Sequence, residues 1–166
     1  ELPDIIYQTT SIGGMALAKS WADILVTAET ANADGSKSIV VGSLSIQDDE
    51  DDDDDDAIDG NGHDGGATAK GIGGTLKVLL DFSSHAAKPG AVAIDSNSNI
   101  FLAVDQGVLI ANANNQVIGM LALPIIPASL TVGEDNFLYI GTSDSLLRIK
   151  IRQGPLVTPT NLIVKR

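Results

Sequence analysis

The chain has 166 residues with 22 acidic and 10 basic side chains, a formal charge of −12, yet nine of the acids are consecutive, from Asp48 to Asp56. Setting that run aside leaves 13 acids against 10 bases, so the acidity belongs to one segment and no basic patch exists to displace counterions from nucleic-acid phosphates. The absence of cysteine excludes disulfides, thiolate zinc sites and thiol catalysis, and no apolar run reaches the roughly 18 residues that suggest a membrane span.

At 43% hydrophobic and 19% charged, the chain can bury a core, and its length suits one domain or a small array of units. Apolar residues come in short runs rich in Ile, Val and Leu, punctuated by Gly, Asn, Asp and Ser. These predict strands at Asp4–Thr10, Met15–Ala18, Ile24–Ala28, Ser38–Ile46, Thr75–Phe82 and Val92–Ile94. Further strands are predicted at Ile100–Val104, Gly107–Ala111, Val117–Leu123, Leu130–Val132, Phe137–Ile140, Leu146–Ile151 and Asn161–Val164. No stretch carries a helical apolar stripe over three turns, so the expected class is all-β.

The strands also repeat. Units open at Ile12-Gly13-Gly14, Pro89-Gly90-Ala91 and Pro127-Ala128-Ser129, each with a small-residue strand, a turn and a stronger apolar strand. The second strands begin at Asp23-Ile24, Asn99-Ile100 and Asn136-Phe137. Pro89 and Pro127 lie 38 positions apart, a period that suits four-stranded β-propeller blades. The first unit is longer because residues 47–74, with the acidic run and a Gly-rich tail, read as a flexible insertion into a hairpin. A single domain over 1–166 is expected, with that insertion and a C-terminal extension at 153–166. It holds about three four-stranded blades, half of a six-bladed ring, which a second copy or another protein partner would complete.

The stretch Lys88–Asn112, K-P-G-A-V-A-I-D-S-N-S-N-I-F-L-A-V-D-Q-G-V-L-I-A-N, resembles the gluconolactonase/regucalcin (senescence marker protein) family. Pro127–Ile149 resembles that family's last blade, and Gly13–Thr30 is similar to the blade before these two. The resemblance implies a six-bladed propeller in which a central divalent cation, usually calcium, activates lactone or ester hydrolysis. A hard cation held by oxygen ligands can polarise the ester carbonyl. The resemblance also implies where the ligands would lie. The Asn of a P-N-G turn falls on Gly13, and the Asp of a P-D-G turn falls on Gly90. The blade that supplies the family's Glu has no counterpart in the chain.

Other candidates are local. Asp59-Gly60-Asn61-Gly62-His63-Asp64-Gly65 approaches a calcium loop, with Asp59, Asn61 and Asp64 as candidate metal ligands. His63 stands where an acid or Asn is wanted and the glycine comes one position late; the alternative is a solvated acidic loop that gathers counterions. His63 and His85 lie in polar loops with no pattern pairing them, and no serine sits in a nucleophile-elbow context. Glu29 reads as a channel-lining carboxylate or a rim residue in water. Trp21, in the turn Lys19-Ser20-Trp21-Ala22-Asp23, is either a partner anchor or packed over a neighbouring blade. Leu162 and Val164, beyond Pro155 and Pro159, suggest a docking arm.

Three functional expectations follow. The first is a non-catalytic binding or structural subunit needing no cofactor. The second is a metal-dependent lactonase whose site another chain completes, and the third is calcium buffering by Asp48–Asp64. Glu1 in place of Met reads as a processed N-terminus and suggests a secreted or organelle-lumenal protein.

Overall fold

The structure, a computed structural model, describes residues 11–18, 23–45 and 76–152. These form eleven strands. The first blade holds β1 (Ile12–Leu17), β2 (Asp23–Ala31), β3 (Lys37–Ser45) and β4 (Lys77–Asp81). The second holds β5 (Val92–Ile94), β6 (Ile100–Val104), β7 (Gly107–Ala111) and β8 (Val117–Ala122). The third holds β9 (Ser129–Val132), β10 (Phe137–Gly141) and β11 (Leu146–Lys150). Each is an antiparallel meander in chain order, with four, four and three strands among the described residues. The all-β expectation and the blade architecture therefore hold. The predicted strands at Asp4–Thr10 and Asn161–Val164, and the domain limits at 47–74 and 153–166, lie outside the described residues.

One small turn builds much of this. At Asn32–Ser36, Asp95–Asn99, Asn112–Gln116 and Gly133–Phe137 the first N–H donates to the fifth carbonyl, and the fourth N–H donates back to the first carbonyl. The fourth residue must take positive φ, and it is Gly35, Ser98, Asn115 or Asn136. Gly and Asn tolerate that region best, which is why these turns read as punctuation in the sequence. Asp95, only 2% exposed, accepts from the N–H groups of Asn97 and Asn99 and from the Asn99 side-chain amide. A buried carboxylate is tolerated there because both oxygens are satisfied.

These turns also correct the repeat register. Ser98 and Asn136 share one role, 38 positions apart, as Pro89 and Pro127 are. Asn136 therefore matches Ser98 rather than Asn99, and the pairs Val92↔Leu102 and Leu130↔Ile140 repeat at that spacing. Sequence similarity between the two asparagines suggested a register one residue off. Elements also run longer than apolar character alone indicated: β1 starts at Ile12, and β2 continues through Glu29 to Ala31. Ladder hydrogen bonds, not hydrophobicity, set those ends.

The innermost strands β1, β5 and β9 stand side by side, and alternation gives every blade two faces. Leu25, Ile39, Val41 and Phe82 of the first blade and its connector pack against Val92, Ile100, Leu102, Val104 and Leu109 of the second. The opposite face of the second blade, with Ala93, Phe101, Ala103 and Val108, packs on Leu130, Val132, Leu138 and Ile140 of the third. Each fully buried Val, Leu or Phe here contributes about 1.5–3 kcal/mol of burial. Two apolar-cored junctions thus hold three blades in file.

Candidate functional site

The connectors that enter the inner strands converge at one end of the file of blades. Gly13, Pro89-Gly90-Ala91 and Ile126-Pro127-Ala128 line a cavity of about 540 Å³ there, together with Ala87, Lys88, Ala103, Val104 and Asp105. Its polar equipment is sparse: Lys88 and Asp105 are both exposed, and Asp105 Oδ2 accepts from the Ala87 N–H at 3.0 Å. That bond fixes the connector between β4 and β5 against the β6–β7 turn. Ile126 is 58% exposed at the same mouth.

Gly13 and Gly90 are both brought to this mouth, but as backbone. A Cβ on Gly13 would collide with the Pro89 carbonyl, and one on Gly90 with the Ala103 carbonyl. On Gly14 it would lie 2.8 Å from the Ala91 Cα. At Gly13 and Gly14 the first two blades approach so closely that only hydrogen fits, and at Gly90 the entry to β5 lies equally close on β6. Thr27, fully buried in β2, adds a cross-blade bond: its hydroxyl donates to the Gly90 carbonyl at 2.5 Å. The sequence offered no sign of that contact beyond a hydroxyl between the apolar Val26 and Ala28.

The residues at the mouth therefore do not fit the cation set that the resemblance implies. Two of its positions carry no side chain and have no room for one. Among the described residues no group of three or more His, Asp or Glu side chains could hold a metal ion. Glu29 is not a carboxylate in open water, its side chain being 18% exposed. It lies within β2, half-buried, and pairs with Lys37 of β3 at 2.5 Å. His85 sits exposed on the β4–β5 connector, where its N–H donates to the Phe82 carbonyl. Asp59, Asn61, His63, Asp64, Trp21, Leu162 and Val164 lie outside the described residues.

A second cleft of about 400 Å³ opens at the far end of the first junction, lined by Asp23, Ser43, Ser45, Lys77, Ser98 and Asn115 among others. Ser45 closes part of it by donating its hydroxyl to Asp23. Its polar groups are the ends of strands and turns.

Three carboxylates elsewhere are held below the ordinary range by hydroxyl donors. Ser36 donates to Asp34, Ser83 to Asp81, and the Tyr139 phenol to Asp135. Asp81 and Ser83 are structural, since the Ile39 N–H donates onward to the Ser83 hydroxyl and ties the end of β4 to β3.

The strand topology defines the class as β-propeller blades. No family model matches the chain, and no curated protein matches it. Solved structures do. A protein assigned as a gluconolactonase by structural genomics is similar at TM-score 0.56 and 16% identity, over 90% of this chain and 41% of that one. A gluconolactonase from Xanthomonas campestris is similar at TM-score 0.58 and 12% identity, over 86% of this chain and 38% of that one. The chain thus spans about two fifths of the length of the structures it matches. At such identities the likeness is one of fold: three consecutive blades of a gluconolactonase-like propeller.

Proposed function

We propose that the chain is a non-catalytic propeller module, which acts by binding: its blades pack against further blades to form a larger assembly. The observation that supports this reading is the backbone packing at Gly13 and Gly90. Where the lactonases it resembles would place oxygen ligands, this chain places Gly13, whose missing side chain lets the first two blades touch, and Gly90, whose missing side chain lets the entry to β5 lie on β6 of its own blade. A ligand side chain and that contact are mutually exclusive, so the mouth is specialised for packing. Exposed apolar residues on strands at both ends of the file, Met15 and Leu17 in β1 and Leu146 in β11, agree with a surface meant to be covered.

The second reading is a divalent-metal-dependent lactone or ester hydrolase, its site completed by another chain. It draws on the fold likeness to two gluconolactonases. A hydrolysis assay on a sugar lactone, with calcium and with chelator, separates the two. The module reading expects no turnover above the spontaneous rate in either condition. Turnover that disappears on chelation and returns with calcium would overturn it.

A further inference from the structure

The two junctions inside the chain rest on equivalent rows of paired residues, and one row differs in kind. Across the first blade it runs Ala16↔Leu25↔Ser43↔Lys77, and across the second Ala93↔Phe101↔Ile110↔Gly119. At the second junction Phe101 and Ile110 fill the interior and share a core with Val132 and Leu138. At the first, Leu25 and Ser43 stand in their places, and the cleft of about 400 Å³ remains. That volume lies within the roughly 300–1,000 Å³ range of small-molecule sites. Both blades are four-stranded meanders in chain order, so the cleft is made by side chains and not by topology.

Its lining divides by chemistry. Leu25, Leu79, Ile94 and Ile100 make an apolar floor, with Leu25 and Ile100 each 3% exposed. Two opposite charges stand on the strands that flank β3: Asp23 at the start of β2 and the exposed Lys77 at the start of β4. Those strands lie two spacings apart, about 10 Å, and the flexible four-carbon Lys77 stem spans part of that gap. Lys77 makes no ion pair among the described residues. Asp23 accepts from the Ser45 hydroxyl at 2.7 Å, and an ionised carboxylate, with two oxygens, accepts from several donors at once. On the opposite wall, Ser98 takes the positive-φ position that Gly35, Asn115 and Asn136 take in the equivalent turns, and Asn115 lines the cleft beside it. Serine enters that region less readily than Gly or Asn, and here it brings a hydroxyl to the wall.

We infer that this cleft binds a small apolar zwitterion of the α-amino-acid class. The ligand's carboxylate meets the Lys77 ammonium and the Ser43 hydroxyl, its ammonium meets Asp23, and its hydrocarbon side chain lies on the floor. Each charge then enters against its opposite. A simple anion would have Asp23 facing it, a simple cation would have Lys77, and an uncharged hydrocarbon would leave both charges unused. Only a ligand with two charges and one apolar tail uses all three parts of the lining. The site lies at the far end of the junction from the glycine contacts, so it gives the module a ligand without calling on the channel mouth.

Amide NMR of the full chain, titrated with L-leucine, tests the site. Shifts at Ser43, Ile94, Ser98 and Asn115 that saturate in the millimolar range or below are expected, and no shift at these residues overturns the inference. Isocaproate lacks the ammonium and isopentylamine lacks the carboxylate. Each should bind at least about fivefold more weakly than leucine, the worth of one partly exposed ion pair. Equal binding of either analogue overturns the zwitterion assignment. Lys77→Gln should weaken leucine by a similar factor without weakening isopentylamine; undiminished leucine binding, or an equal loss for both, removes Lys77 from the site and overturns the assignment. Ser43→Ile installs the residue that the second junction uses in this row, so the protein is expected to fold with its cleft filled and the leucine shifts gone. A folded Ser43→Ile protein with the parent's affinity overturns the cleft as the site, and if that variant unfolds, the Lys77→Gln comparison decides. Lactone turnover bears on none of these outcomes.

Discussion

Where the first and second blades meet at the channel mouth, backbone touches backbone. Gly13 lies on Pro89, Gly14 on Ala91, and the Thr27 hydroxyl bridges to the Gly90 carbonyl. Where the second and third meet, the equivalent entry reads Pro127-Ala128-Ser129, and Pro127, Ala128 and Ile126 line the cavity. Topology, strand order and the 38-residue register are shared between the two blades on either side of that second junction, so architecture does not account for the contrast. By that register Gly13 and Gly14 at the first junction correspond to Gly90 and Ala91 at the second, where a Cβ on Gly90 would meet Ala103 of its own blade rather than the entry of the next blade. A propeller's inner rim is thus set by the smallest side chains in the chain, while its outer cores are set by the largest.

The strongest way to break this contrast is to put a ligand side chain back. Gly90→Asp forces a Cβ into the Ala103 carbonyl, which as backbone cannot turn aside, and is expected to cost about 3 kcal/mol, the upper end of ordinary overpacking. Urea unfolding measures this; a variant as stable as the parent that also gained a calcium-binding heat would reverse the interpretation of the mouth. A smaller effect sharpens the comparison. Thr27→Val keeps the volume but strands the Gly90 carbonyl, with an expected loss of about 1–3 kcal/mol in the same measurement. Thr131→Val, on the exposed third-blade face, should be close to neutral.

The smallest expected effect is in acid. Asp34, Asp81 and Asp135 are held below their usual value chiefly by hydroxyl donors from Ser36, Ser83 and Tyr139. Because folding lowers these values, their contribution is complete above about pH 4 and is lost as pH falls through the lowered values. All three are near the surface, where water screens them. Thermal melts between neutral pH and pH 2 should show a shallow decline in that acid range, and Asp81→Asn should flatten part of it.

Much of the fold was legible before any coordinates. Strand runs at Ile100–Val104 and Gly107–Ala111 were found to the residue, because β-branched and aromatic residues bounded by turn formers leave few alternatives. The three-unit repeat was legible for the same reason. The register of the third unit was not: Asn99 and Asn136 look equivalent as letters, but only one of them sits at positive φ. At the mouth, the glycines Gly13 and Gly90, where the resemblance implies ligands, were visible in the sequence. Why they are glycines was not, since Pro89 and Ala103 are 76 and 13 positions away along the chain and meet them only in the folded rim. Thr27 and Asp95 were hidden likewise, being polar residues whose burial depends on partners that the turns and the neighbouring blade bring to them.

The sequence by itself determined the class, the blade-like repeat and the segregation of charge into Asp48–Asp56. These depend on composition and on local periodicity, which short-range forces read directly. Tertiary structure alone decided which residues touch across a junction, and that Gly13, Gly90 and Ala128 come together around one cavity. Those properties follow from how the blades stack, and stacking joins residues that chain distance keeps apart.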